Sequence, residues 1–339
     1  MSLPGKNKIC VVSILLMLAL PVTGQGKYNS YAEHPQAQIF IDEMVSNDGY
    51  DRQALMAIFS QVKYKEITIK SKSNPAEAKP WKDYRRILVT PQRVAQGLKF
   101  WKEHEDTLAR AESVYGVPAE IIVAIIGVET RYGRVTGRHR VIDSLSTLAF
   151  DYPKSQSRYF RGELRSLLIL ASEEGLSPLE LHGSYAGAMG YGQFMPSSYL
   201  HYAVDFDNDG LRDIWKNPVD AIGSVANYFK RHGWQQNGPV TSPASVTGEN
   251  FREYIVTNRK DLKPRHTLGK LVNAGFVPDE TYDKEQLVTA MALKGVDGEE
   301  FWVGLHNFYV ITRYNHSALY AMAVFQLAQE LARKYHDNN

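Results

Sequence analysis

Cysteine is all but missing from this chain: Cys10 is the one cysteine in 339 residues, so a disulfide-stapled miniprotein is excluded. Glycine (25) and proline (15) are too few for a collagen-like repeat, and 44% hydrophobic residues exclude a disordered polymer. There is no internal repeat, no low-complexity segment, and no long apolar run. The run Ile9–Leu20 has only 12 residues, too few to span a bilayer comfortably. An excess of one charge is lacking too. Lys6 and Lys8 supply the formal +2; without residues 1–24 the 39 basic side chains fall to 37, matching the 37 acidic ones. That balance argues against a dedicated nucleic-acid binder, which carries a basic surplus.

What is present begins with an export signal. Two lysines, the apolar run and small residues around Val22–Gly24 predict a secretory signal peptide over residues 1–24. The alternative is a retained anchor or a buried helix. Cys10 lies inside the run and not at its cleavage end, so lipid attachment is not expected. A cysteine-free exported chain suits an oxidising compartment, most simply a bacterial periplasm. The length allows a large core and roughly two domains.

Helical periodicity dominates residues 25–117, with Ile39, Phe40, Met44 and Val45, then Leu55, Ile58 and Phe59. A helix is expected over Phe100–Tyr115, stopped by Gly116, with Pro118 opening the next. Residues 63–102 hold eleven Lys/Arg against three Asp/Glu, interleaved with Tyr64, Trp81, Tyr84, Phe100 and Trp101. That stretch reads as a basic surface for an anionic polymer or as a solvated face over core aromatics. Residues 118–235 read as a helical core. Residues 236–304, punctuated by Gly238-Pro239, Ser242-Pro243 and Gly248, carry short strand-like runs such as Glu253–Val256 and Gln286–Met291. Residues 305–339 return to helix, with a broad apolar face from Ser317 to Tyr335. The coarse fold class is mainly α (α+β), with a small inserted β subdomain.

The segment Pro118–Gly133 contains a carboxylate in the wrong place for a bystander. At 100° per residue Glu129 lies about 20° from Ile122 and about 40° from Ile125 on the helical wheel. It therefore sits in the stripe that faces the core, at the end of the helix. A buried carboxylate is paired, protonated or functional, and desolvation favours the protonated form that a general acid needs. Pairing with Arg131 or Arg134 is the structural alternative. The second feature is Gly183–Tyr199, with four glycines in ten residues and no phosphate-loop lysine. It displays Ser184, Tyr185, Tyr191, Gln193 and Tyr199: hydroxyls, an amide and aromatic faces of the kind that bind sugar rings. A tight helix–helix connection is the alternative.

Gly-Val-Glu-Thr and the following Tyr-Gly (127–133), with Gly-Ser-Tyr-Ala-Gly-Ala-Met-Gly-Tyr-Gly-Gln-Phe-Met-Pro-Ser-Ser-Tyr (183–199), resemble the B-type lytic murein transglycosylases. Val-Asp-Ala-Ile-Gly-Ser-Val-Ala-Asn-Tyr-Phe (219–229), His-Gly-Trp (232–234) and Tyr-Asn-His-Ser (314–317) extend the likeness from about Phe40 to Leu331. The resemblance implies a goose-lysozyme-like catalytic core with an accessory helical domain. It implies cleavage of the β-1,4 bond between N-acetylmuramic acid and N-acetylglucosamine in peptidoglycan, leaving 1,6-anhydromuramoyl ends. It makes Glu129 the single catalytic glutamate, acid then base, and places Ser184, Gln193, Tyr228, Asn315 and Tyr320 around the saccharide cleft. The expected partners are glycan strands, with proteins of cell-wall synthesis or hydrolysis as candidates; the chain is expected to be a monomer and to need no cofactor for catalysis. Lys154-Ser155 after Pro153 departs from the family's paired arginines, so no stem-peptide contact carries over there. The residues leave two rivals: a muramidase hydrolysing the same bond, and a noncatalytic peptidoglycan-binding protein.

Finally, Asp205, Asp207 and Asp209 at alternate positions before Gly210 follow the start of an EF-hand loop, with Leu211 offering a backbone carbonyl. Position 12 is Lys216, not the bidentate Glu. By the resemblance, the loop spans 205–220 and is closed by Asp220. A structural Ca²⁺ is expected; Na⁺ and a bare Asx turn are the alternatives.

Overall fold

The computed structural model describes Tyr28 and residues 30–71, 79–257 and 262–337; the segment expected as a signal peptide lies outside the described residues. The chain enters through a 3-10 turn (Tyr31–Glu33) into α1 (Pro35–Asp48), α2 (Arg52–Phe59), α3 (Glu66–Ser71) and α4 (Trp81–Leu88). It continues into α5 (Pro91–Glu103), α6 (Glu105–Tyr115) and α7 (Ala119–Thr130). Strand β1 (His139–Arg140), helices α8 (Val141–Phe150) and α9 (Lys154–Glu173), strand β2 (His182–Gly183), α10 (Pro196–Tyr202) and α11 (Pro218–Arg231) follow. Then come β3 (Thr241–Val246), β4 (His266–Thr267), α12 (Leu268–Asn273), β5 (Phe276–Pro278), β6 (Leu287–Lys294), β7 (Glu299–Gly304), α13 (His306–Tyr314) and α14 (Ala318–Asp337). The fold is mainly helical with one small sheet.

Local chemistry sets the helix ends. The Asp51 carboxylate accepts from Ala54 N at 2.7 Å and the Thr90 hydroxyl accepts from Arg93 N at 3.1 Å, capping α2 and α5. Gly116, at φ 70°, stops α6 as expected. The helix expected over Phe100–Tyr115 is instead broken at His104, which leaves helical geometry at φ −124°. The reason lies in packing: α5 lies against α7 and α14, whereas α6 turns its buried Leu108 and Ala111 toward α11 and α7. Helix α7 is the centre of the core. Every residue from Ile121 to Gly127 is buried, and the helix packs on α5, α6, α11 and α14.

The sheet has the order β4-β6-β7-β3-β5 and all its pairings are antiparallel. It closes over its own apolar cluster, which includes Phe251, Leu271, Phe276, Val288 and Val303. The strand expected at Glu253–Val256 does not form; Asn250–Tyr254 is a 3-10 turn, and only Ile255 bridges to Ala290. Phe251 and Tyr254, three residues apart, both pack on the small cluster, which a three-residue turn allows and strand alternation forbids.

Candidate active site

Glu129 sits half-buried in the last turn of α7. After Thr130 the chain turns sharply, with Arg131 (φ 52°) and Tyr132 (φ 62°) left-handed before Gly133 (φ 79°). Two non-glycine residues in that region cost roughly 1–2 kcal/mol each. Burial of Tyr132 offsets this: its hydroxyl donates to Arg93 O at 3.0 Å, and Gly97 and Gly127 leave the room its ring occupies. A Cβ on Gly127 would come within 2.5 Å of the Tyr132 hydroxyl. Thr130 Oγ1 donates to Tyr191 O at 2.9 Å, tying the end of α7 to the glycine-rich loop.

The Tyr320 hydroxyl donates to Glu129 Oε1 at 2.5 Å. Tyr320 is fixed at the start of α14, where Ser317 Oγ accepts from Tyr320 N at 3.3 Å and caps the helix. Asn315 belongs to the same turn, its carbonyl accepting from Ser317 N at 2.7 Å. Tyr314, at the end of α13, donates to Gly192 O at 2.5 Å. Burial first, and then the Glu129 charge, push both phenols well above the ordinary tyrosine range, so they stay protonated donors. Arg131 and Arg134, the alternative partners for the carboxylate, are exposed.

The glycine-rich loop folds into two tight turns through bridges Gly183–Met189 and Met189–Phe194. Ser184 Oγ accepts from Ala188 N at 3.0 Å, so this hydroxyl organises its own loop. Gln193, left-handed at φ 51°, donates from Nε2 to Thr136 O and Gly190 O, each at 3.0 Å. Glycine is required where backbones meet: a Cβ on Gly137 would lie 2.1 Å from Gly183 backbone. Tyr185 stands exposed at the outer turn. Tyr228 donates to Arg313 O at 2.6 Å, stacks on His232 with ring centroids 4.0 Å apart, and meets Tyr314 edge-on. The structure thus joins Tyr320 to Glu129 directly, and Gln193's loop and Tyr228 to it through Tyr314. Tyr314 escaped the sequence reading, although it stands beside Asn315 in the Tyr-Asn-His-Ser run.

In the acidic loop, carboxylate oxygens of Asp205, Asp207 and Asp209 lie within 4.8 Å of one another. The loop is drawn around them: Asp205 accepts from Asp209 N and Gly210 N, and Asp209 from Leu211 N, at 2.9–3.1 Å. Asp220 is fully buried outside that trio. Its oxygens accept from Phe206 N at 2.7 Å and Asp213 N at 2.8 Å, so it grips both sides of the loop from beneath. Burial, with Asp207 and Asp205 adding to it, pushes its carboxyl up to about 6. Leu211 is exposed, with its backbone within the loop.

Comparison with known proteins gives the family. The sequence profile of the transglycosylase SLT domain fits residues 32–329. The membrane-bound lytic murein transglycosylase B of Escherichia coli (strain K12) is 47% identical over 312 residues, 89% of this chain and 84% of that protein. The soluble lytic transglycosylase SltB1 from Pseudomonas aeruginosa superposes with TM-score 0.84 at 51% identity, covering 89% of this chain and all (100%) of that one. The Escherichia coli lytic transglycosylase Slt35, solved in complex with calcium, superposes with TM-score 0.82 at 47% identity, covering 90% and 95% of the two chains. With a carboxylate and tyrosine pair in its core and these relatives across its length, the chain belongs to the SLT-domain family of lytic murein transglycosylases.

Proposed function

We propose that the protein is a peptidoglycan lytic transglycosylase in which Glu129 alone performs acid and then base catalysis. It cleaves the β-1,4 bond between N-acetylmuramic acid and N-acetylglucosamine. The observation that carries this reading is the Tyr320–Glu129 pair: a half-buried carboxylate at a helix end, held by a fully protonated phenol. The acidic charge felt by both Tyr314 and Tyr320 is that of Glu129. Ordinary glycosidases flank the bond with two carboxylates, one of which attacks C1 or activates water. With one, the nucleophile must come from the substrate. Protonated Glu129 donates to the glycosidic oxygen, the C1–O bond breaks, and positive charge develops at C1. The Glu129 carboxylate then takes the proton of the C6 hydroxyl as that oxygen bonds to C1 of the same ring, leaving a 1,6-anhydro end. Nucleophile and electrophile share one ring, which gives a large entropic advantage over external water.

Ser184, Tyr185, Gln193, Tyr228 and Asn315 form the cleft's saccharide contacts in this reading, with Tyr320 orienting the acid. Glycan strands are the substrate and the periplasm is the place of action, reached by export without lipidation. The protein acts as a monomer, with proteins of cell-wall synthesis or hydrolysis as its candidate associates. A structural Ca²⁺ fits the acidic loop: an all-oxygen set of three converging carboxylates suits a hard cation. Asp205, Asp207, Asp209, the Leu211 carbonyl and Asp220 would hold it, and the ion would supply charge neutralisation that fixes the loop. The calcium complex of Slt35 supports this assignment.

The test is product analysis after digestion of purified sacculi in ¹⁸O water. The expected ends are 1,6-anhydromuramoyl species without solvent oxygen. Reducing muramic acid ends that carry ¹⁸O would establish the hydrolase rival instead. Glu129→Gln keeps the shape but removes the proton, so cleavage should fall by roughly 10²–10⁴-fold with the melting curve unchanged; wild-type-like turnover would remove the assignment.

A further inference from the structure

The basic stretch noted in the sequence has no part in the mechanism above, yet the structure gives part of it a shape. Lys79 and Lys82, at the start of α4, and Lys294, at the end of β6, rim a groove of about 560 Å³. Its floor is apolar, built by Trp81, Leu293 and Leu319. All three lysines are exposed, and among the described residues none of them makes an ion pair with an acidic side chain. On the sheet side Glu299, opposite Lys294 in the β6–β7 register, is bridged to Arg252 at 3.2 Å, and Glu300, against Gly295, accepts from Trp81 Nε1 at 3.1 Å. The groove and the active site share helix α14. Leu319 on its floor directly precedes Tyr320, whose hydroxyl holds Glu129, and Tyr84 one turn along α4 acts electrostatically on Tyr320.

Three unpaired cations around an apolar floor fit a ligand with several carboxylates on a short, partly aliphatic backbone. We propose that this groove binds the carboxylates of the peptide stem borne by the muramoyl residue at or next to the cleavage point. This deepens the transglycosylase reading and rests on it for the identity of the peptide. The stem hangs from the lactyl group of the same sugar whose C1 reacts, so a groove one residue from Tyr320 is reached without leaving the glycan strand. The lysines therefore act on substrate capture and register, and Glu129 keeps the chemistry. Exposed charge pairs are individually weak and screened by salt, so the effect belongs in KM and depends on ionic strength.

The experiment compares wild type with the triple variant Lys79→Gln, Lys82→Gln, Lys294→Gln on two substrates. One is uncrosslinked glycan strands with their stems; the other is the same strands stripped by an amidase. On stem-bearing strands the variant's KM should rise roughly tenfold with kcat unchanged, and 0.5 M salt should erase the difference. On stripped strands the two proteins should be alike. Equal loss on both substrates, or no change on either, overturns the proposal; a control of Lys102→Gln with Lys230→Gln and Lys270→Gln should leave KM unmoved. The reading of the site can fail separately, with wild type cleaving neither substrate. A free anionic stem tripeptide titrated into the protein then decides the groove: NMR shifts at Lys82 and Lys294 amides that vanish in the triple variant support it, and their absence from wild type refutes it.

Discussion

Tyr320→Phe isolates one hydrogen bond at the centre of the site. The ring is buried to 2% exposure, and phenylalanine refills the same volume, so the core keeps its packing and leaves no cavity. What goes is the hydroxyl that donates to Glu129 Oε1 at 2.5 Å. A hydrogen bond to a charged group contributes about 1.5–3 kcal/mol, which corresponds to roughly 10–150-fold in rate if it is needed while the glutamate is ionised. The glutamate is ionised in the second half of the reaction, when it must accept the C6 proton from a fixed direction. The expected result is a kcat on sacculi lowered within that range, a KM changed less than threefold, and stability altered by under about 1.5 kcal/mol. Tyr314→Phe is the matched control. Its hydroxyl donates to a neutral carbonyl, Gly192 O, so the loss should stay near 0.5–1.5 kcal/mol. Wild-type kcat in Tyr320→Phe would refute the positioning role. So would a loss that tracks the melting temperature and appears equally in Tyr314→Phe.

Three further outcomes follow from the packing and the acidic loop. Gly127→Ala should destabilise the protein by about 1–2 kcal/mol in urea, because overpacking against Tyr132 outweighs the gain in helix propensity; unchanged stability would mean that Tyr132 is not wedged there. Asp209→Ala should erase the calcium-dependent rise in melting temperature, about 1–2 kcal/mol at millimolar calcium for a site of 10⁻⁴–10⁻³ M, yet keep most activity at moderate temperature. Loss of all activity on chelation, with the fold intact, would contradict a purely structural ion. Asp220 sets a pH dependence. Its carboxyl rises from 3.8 unfolded to about 6 folded, so the folded state binds the proton more tightly. Stability from this group is present below pH 3.8 and is lost as pH climbs through about 6. Calcium competes with that proton, so its stabilising increment should be clearly smaller at pH 5 than at pH 7, by differential scanning calorimetry. Equal increments would remove Asp220 from the loop's electrostatics.

Glu129 was legible in the sequence because two local rules collide there: a helical stripe demands an apolar side chain and a carboxylate fills it. Its partner was not legible in the same way. Tyr320 lies 191 residues away, and a tyrosine in an apolar helix face looks like ordinary core until the fold brings it to the carboxylate. Tyr314 was hidden for the same reason. The break at His104 was invisible because periodicity continues through it; only the different neighbours of α5 and α6 force the bend. Asp220 shows a subtler gap. The resemblance marks it as the residue that closes the loop, where spacing alone stops at Lys216, and its two backbone acceptor bonds depend on burial that no spacing reveals.

The site's halves are far apart in sequence, with α7 and the glycine-rich loop on one side of the inserted sheet and α13–α14 on the other. An insertion between catalytic partners is harmless only if its ends are pinned together. Asn307, fully buried at the start of α13, does this: its Oδ1 accepts from Gln235 N at 2.9 Å, and its Nδ2 donates to Gln235 O and Gly238 O, both at 2.8 Å. His306 Nε2 meets Gly233 O at 2.8 Å beside it. The chain therefore leaves α11 and returns to α13 through a polar clasp, and the sheet keeps an apolar cluster of its own while packing Met291 and Leu293 into the main core. Because a buried amide satisfied at three points tolerates little displacement, α13 is indexed to α11 and carries Tyr314 against Gly192 and Arg313 against Tyr228. Tyr320 inherits its place from Ser317 a few residues on. The position of the acid's partner thus rests on a local amide at the neck of the insertion, backed by the sheet residues Met291 and Leu293 in the same core as Tyr320.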